Sequence, residues 1–281
     1  MKLVTAKHLQ SWSDSLTARA DLPGIVASLI RASCPRLDSY RFPSGDASQA
    51  HGFDGVAEVG EATLFVPEGR SIWEFGVGKN YRSKADQDYE KRTKQLSAAE
   101  RSKQSFIFVT SRIWDTGLTE WEQQRAGDGW LKVRVLDAAS LEHWLSDHPA
   151  VALPLARQLA IIPPIGVHTI PELWDEYRFT FAPPLKEELL LAGREERAKR
   201  LCEALTAGLR GLTRWRADSP MEAAAFVAAA IMGADPEISG FLRDKTLFLE
   251  TAEAAKMMPT TSPFNLILPP AAMDRHKHRC W

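Results

Sequence analysis

Gly52-Phe-Asp-Gly55, Val66-Pro-Glu-Gly-Arg-Ser-Ile-Trp-Glu74 and Lys84-Ala-Asp-Gln-Asp-Tyr89 are the segments on which the reading of this chain turns. Gly52 and Gly60 bracket a strand-like run over 53–59, and a second covers 70–77, with the short apolar run Thr63–Val66 between them. A charged helix follows over 83–96, and the apolar run Ser105-Phe-Ile-Phe-Val-Thr110 reads as a buried strand. Upstream, a strand over 38–43 follows two helices. The first, 6–18, carries Leu9, Trp12 and Leu16 at helical spacing. The second is capped by Asp21, with Pro23 in its first turn and Ile25, Leu29 and Ile30 on one face. Downstream come helix 117–126, strand 131–136 and helix 138–146. The order α-α-β-β-β-α-β-α-β-α is an α/β fold: a mixed sheet with a hairpin-like front, crossover helices behind, and helices on its faces.

The 281 residues are 44% hydrophobic and 25% charged, with 35 Lys and Arg against 36 Asp and Glu. That composition excludes a collagen, a coiled-coil rod and a mainly disordered chain. Three scattered cysteines, Cys34, Cys202 and Cys280, argue against a disulfide scaffold and against a cysteine zinc site. No signal peptide is read at the N-terminus and no run of eighteen apolar residues occurs, so the expectation is a cytoplasmic protein without a membrane partner. With charge balanced overall, any case for nucleic-acid binding has to be local.

Asp54 stands where a strand begins, between two glycines that let the backbone bend and keep its carboxylate accessible. Glu74 lies inside an apolar strand, between Trp73 and Phe75, where a carboxylate costs free energy unless it is paired or holds a cation. Two carboxylates on neighbouring strands can hold Mg²⁺, substrate phosphate and water completing the octahedron. The ion acidifies a bound water and offsets charge on the phosphate. Taken singly, a Gly-flanked Asp is also a turn residue and a strand Glu a half-exposed one. From Lys79 to Lys103 there are eight basic residues against four acidic ones. This surplus suits a passing phosphate backbone and equally suits a solvated helix face.

In strand order, in the FDG acid, in the WE acid twenty positions later and in the KA-D-Q-D-Y helix, residues 1–150 resemble the PD-(D/E)XK nuclease superfamily. They look closest to the Mrr-like restriction-endonuclease domains at the N-termini of bacterial anti-phage defence proteins. The resemblance implies a restriction-endonuclease-like sheet and a Mg²⁺-dependent endodeoxyribonuclease, with Mn²⁺ as a substitute ion. It makes Asp54 and Glu74 the metal ligands. The superfamily's lysine, two residues after the second acid, falls here on Gly76. Lys84 is then the migrated lysine and Lys79 its competitor. Lys79, Arg82, Lys91, Arg92 and Lys94 are expected to contact nucleic acid, DNA first. The alternative is a catalytically inactive nuclease fold acting as a nucleic-acid-binding or adaptor protein.

Proline pairs in Ile161-Ile-Pro-Pro-Ile165 and Ala182-Pro-Pro184 suggest a nuclease-like domain over 1–160, a connector over 161–185 and a small segment over 186–281. That segment reads as helix 194–208, strand 212–216, helix 219–232, strand 245–250, helix 251–257 and strand 264–268, an incomplete doubly wound α/β unit. Its open edge suits a homo-oligomer or a partner protein. Leu191-Ala-Gly-Arg-Glu-Glu-Arg197 is similar to the GRE signature of STAND-type NTPases, but no Gly-Lys phosphate loop follows, which disfavours nucleotide sensing. Gly76-Val-Gly-Lys-Asn80 fails both the Walker A and the dinucleotide patterns. His51, His143 and His148 lack a nucleophile the sequence places beside them, and His276, His278 and Cys280 sit in a polar tail.

Overall fold

The computed structural model of the protein describes residues 2–34, 37–43, 52–162, 164–207, 219–258 and 265–268. The chain divides into two units, Lys2–Ser146 and Asp147–Trp281.

In the first unit, α1 (Ala6–Trp12) and α2 (Ala18–Ser33) precede a five-stranded open sheet. Its strands are β1 (Leu37–Arg41), β2 (Gly55–Val59), β3 (Gly69–Phe75), β4 (Gln104–Val109) and β5 (Lys132–Leu136), side by side in that order. The first three pair antiparallel, while β3, β4 and β5 run parallel. Parallel neighbours need crossovers, supplied by α3 (Tyr81–Gln95) with the short α4 (Ala98–Arg101), then by α5 (Leu118–Arg125). The last element is α6 (Ala138–Asp147). Strand alternation separates two cores. Ile72, Phe106, Phe108, Val133 and Val135 meet Ala85, Tyr89 and Trp121 of the crossover helices. On the opposite face Trp73 stacks on Trp144 of α6, ring centroids 6.4 Å apart, and the Trp144 indole donates to Ser33 of α2.

Two local expectations shift at the front. The first helix stops at Trp12, and Leu16 is fully exposed rather than a core residue. The second begins at Ala18, so Asp21 sits in its first turn and Pro23 lies inside the helix, buried.

The second unit opens with α7 (Pro149–Gln158), β6 (Val167–Thr169), α8 (Ile170–Arg178), α9 (Glu187–Leu191) and α10 (Glu195–Thr206). It continues with α11 (Pro220–Met232), α12 (Pro236–Lys245), β7 (Thr246–Leu249), α13 (Ala252–Met257) and β8 (Asn265–Ile267). The α11 sequence is apolar on every side, and the helix is accordingly buried from Ala224 to Ile231. β7–α13–β8 is a parallel unit of the doubly wound kind, to which β6 adds an antiparallel edge.

The boundaries move accordingly. The division falls at Ser146, so α7 belongs to the second unit rather than to a domain ending at 160. Nor is 161–185 a mere connector, because Ile170, Leu173 and Trp174 of α8 are fully buried in the second core. Proline is at home in the first turn of a helix, where its missing N–H costs nothing, and Pro171 opens α8 in that way. Proline density therefore marks element ends, not a domain boundary. Pro163, strand 212–216, His51 and the tail 274–281 lie outside the described residues. No helix among the described residues is long and apolar enough to cross a membrane.

Candidate metal and nucleic-acid site

The antiparallel register pairs Gly55 with Trp73, which sets Asp54 beside Glu74, the penultimate residue of β3. One oxygen of Asp54, Oδ2, accepts the Phe75 backbone N–H at 3.2 Å. Gly55 is required by close approach: a Cβ there would lie 2.3 Å from the Phe42 ring. The FDG run thus closes a packed turn and directs its acid toward the end of β3.

Glu74 is 1% exposed. It shares a sheet face with Ile72, under α3, and there it meets Arg92, whose Nε donates to Glu74 Oε1 at 2.5 Å. Nη2 of the same guanidinium donates to the Gly52 carbonyl, Nη1 to Gln95 Oε1 at 2.8 Å, and the Phe53 ring lies 4.7 Å away. Arg92 is therefore not among the phosphate-facing residues expected of it. It is 3% exposed, turned inward by its place on the α3 stripe that holds Lys84 and Asp88 two turns and one turn earlier.

Burial pushes the Glu74 carboxyl up to about 7, the nearby Asp54 adds to the shift, and the Arg92 hydrogen bond only partly opposes it. Asp88, also buried, is shifted upward by burial too, against the pull of Lys84. Lys84 Nζ contacts both Asp88 oxygens at 2.5 Å and keeps its side chain 44% exposed.

The lysine that the resemblance would put two residues after Glu74 has no room at Gly76. A Cβ there would lie 2.6 Å from Phe108 Cζ and 3.3 Å from Lys84 Cγ. The position is already roofed by the Lys84 chain, so a longer residue would have to displace both neighbours. Lys84, at the acid end of α3, reaches this place from the helix. Lys79 lies further out, exposed, in the turn before α3. There Lys79, Asn80, Tyr81, Arg82, Ser83 and Asp115 line a shallow depression. Arg82 pairs with Asp115 and lies over the Trp114 ring at 5.3 Å. Lys91 and Lys94 are exposed on α3, Lys94 in a loose pair with Glu90 at 3.3 Å. Arg112 stiffens the turn that carries Lys79: it is buried, donates to the Val77 carbonyl at 2.7 Å and pairs with Asp14 at 2.6 Å.

Asp88, Arg92 as an internal ion and Arg112 are the site residues that motifs alone do not reveal. The first two have a signal in the Lys84–Asp88–Arg92 spacing of four, which stacks all three on one helical face.

Among the described residues no group of three or more His, Cys, Asp or Glu side chains is placed to hold a metal ion. An ion at this site would take two carboxylates from the protein and its remaining oxygens from water and substrate, a donor set that suits Mg²⁺. The charge also fits. Three acids face two side-chain cations, and Glu74 and Asp88 both resist ionisation despite those partners. The chain matches no family model, no curated protein and no solved structure.

Proposed function

We propose that residues 2–146 form a divalent-metal-dependent endonuclease unit acting on DNA. The observation that carries the reading is the pairing of Asp54 with buried Glu74 on adjacent strands, with Lys84 laid across Gly76 beside them. Asp54 and Glu74 are the residues that would hold Mg²⁺, or Mn²⁺ in its place. Bound there, the ion supplies an acidified water and neutralises charge on a phosphodiester. Lys84 orients that water and faces the phosphate with its ammonium group. Lys79, Lys91 and Lys94 are exposed and face the nucleic-acid backbone. Arg82, partly held by Asp115, lies at the margin of this surface. The second unit is read as the regulatory or oligomerising part, and a restriction-like role in bacterial defence, in the cytoplasm, follows from the resemblance alone.

A second reading has its own observation. Lys84 gives its ammonium group to Asp88, and Glu74 gives an oxygen to Arg92. A site so internally paired would bind nucleic acid without cutting it. The experiment that separates the two is cleavage of plasmid and single-stranded DNA with Mg²⁺, Mn²⁺ or EDTA, with Asp54→Asn and Glu74→Gln beside the wild type. Metal-dependent cutting lost in both variants supports the nuclease. Binding by gel shift without cutting under any condition supports the second reading. Glu74→Gln is the informative change because it keeps an acceptor for Arg92, whereas Glu74→Ala strands a buried guanidinium.

A further inference from the structure

We propose that Arg92 is a built-in second cation of this site, so that the acid pair takes up one divalent ion and the guanidinium stands in for another. The inference rests on the reading of Asp54 and Glu74 as metal ligands. Arg92 is 3% exposed and each of its guanidinium nitrogens is engaged: Nε by Glu74, Nη1 by Gln95 and Nη2 by the Gly52 carbonyl. It is thus a fixed part of the framework and not an exchangeable counter-ion, since withdrawing it would leave a buried carboxylate and a buried cation apart. Through Gly52 and Phe53 it grips the segment that carries Asp54, and through Nε it grips Glu74, so one side chain sets the spacing of both acids.

A pair of metal ions about 3.5–4 Å apart needs bridging and terminal carboxylate oxygens. Here Glu74 Oε1 is given to Arg92, Asp54 Oδ2 to the Phe75 N–H and both Asp88 oxygens to Lys84. Asp54 Oδ1 and Glu74 Oε2 are the carboxylate oxygens of the pair not engaged in these contacts, one from each acid, which suits a single ion. Charge leads to the same count. Once a bound ion has ionised the acids, three carboxylates, two side-chain cations, one divalent ion and one phosphodiester sum to zero, whereas a second divalent ion would leave the cluster two charges positive.

The test is the number of Mn²⁺ ions bound by the full chain, from calorimetric titration and from the electron paramagnetic resonance spectrum, the site ions being those lost in Asp54→Asn. One ion with an uncoupled spectrum is expected for the wild type and for Arg92→Lys, which keeps the cation. Two ions with an exchange-coupled spectrum are expected for Arg92→Gln. Two coupled ions in the wild type, or an unchanged count of one in folded Arg92→Gln, would overturn the role given to Arg92 and leave the metal-ligand reading standing. Loss of no ion in Asp54→Asn overturns the ligand reading, and this inference with it. Should Arg92→Gln fail to fold, the wild-type count and spectrum decide alone.

Discussion

The two units bury ionisable groups in opposite ways. Under α3, Glu74, Asp88 and Arg92 are enclosed as a set, and Glu74 is left near half-ionisation at neutral pH. In the second unit the buried His148 is held neutral, its imidazole pushed down to about 4 by burial and by the Lys245 charge. Its core is otherwise built on the alanine-rich α11. Burying charge costs stability, and a neutral imidazole costs little as long as it is not asked to ionise. The first unit therefore carries a cost that packing alone does not require, which the proposed function would account for.

The comparison breaks most sharply at Glu74. Replacing it with Ala should destabilise the protein by about 3–5 kcal/mol in urea unfolding, because Arg92 is left buried without its partner. Glu74→Gln should recover most of that loss. Equal stabilities for the two variants would mean that a hydrogen-bond acceptor for Arg92 at this position contributes nothing.

The pH dependence should run in opposite directions in the two units. Glu74 keeps its proton in the folded state after losing it in the unfolded one, so in EDTA its unit loses stability as pH rises from 4.5 to about 7. The change amounts to roughly 3 kcal/mol. His148 stays neutral in the fold while the unfolded chain takes up a proton, so its unit loses stability as pH falls from 6.5 to about 4. Hydrogen exchange resolved by peptide should show these opposed slopes, Glu74→Gln flattening the first and His148→Gln the second. Slopes of one sign in both units would remove the contrast.

Smaller effects sharpen the picture. Gly76→Lys, which restores the superfamily's lysine on paper, should cost about 1–3 kcal/mol through its clash with Phe108 and should not raise cleavage. The overpacking change Ala228→Leu in α11 should cost a similar amount in the second unit without touching cleavage. In Lys84→Met the buried Asp88 loses its cation and, already pushed upward by burial, takes up a proton more readily, so the expected stability cost is about 1–3 kcal/mol. In the same variant, metal-dependent cutting should fall by at least about ten-fold. Retained cutting would return the lysine role to Lys79.

Much of the sheet is legible in the sequence because strand period and glycine brackets are local. The runs 53–59, 70–77, 105–110 and 131–136 coincide with β2 to β5 within two residues. The adjacency of Asp54 and Glu74 follows from the hairpin-like order. The burial of Arg92 is not legible in the same way, because α3 is so charged that its composition reads as a solvated helix. Which of its cations turns inward depends on how the helix lies over β3, a tertiary choice. Helix α12 escapes the apolar periodicity although its start is marked, since Asp235 accepts the Glu237 N–H ahead of Pro236. Proline misplaces the unit boundary because it reports on the backbone, whereas the boundary is decided by burial.

Trp73 and Glu74 are neighbours in sequence that point into different cores. A single inserted or deleted residue within β3 would exchange them, driving an indole against Arg92 and a carboxylate against Trp144. The sheet already contains one place where such a slip is absorbed, the register shift between Leu37 and Ser39 at its β1 edge. Changes of chain length in this unit should thus be tolerated at that edge or in the turn between β2 and β3, and lethal within β3 itself. Length variation, read across a library of insertions, becomes a ruler for the register on which the acid pair depends.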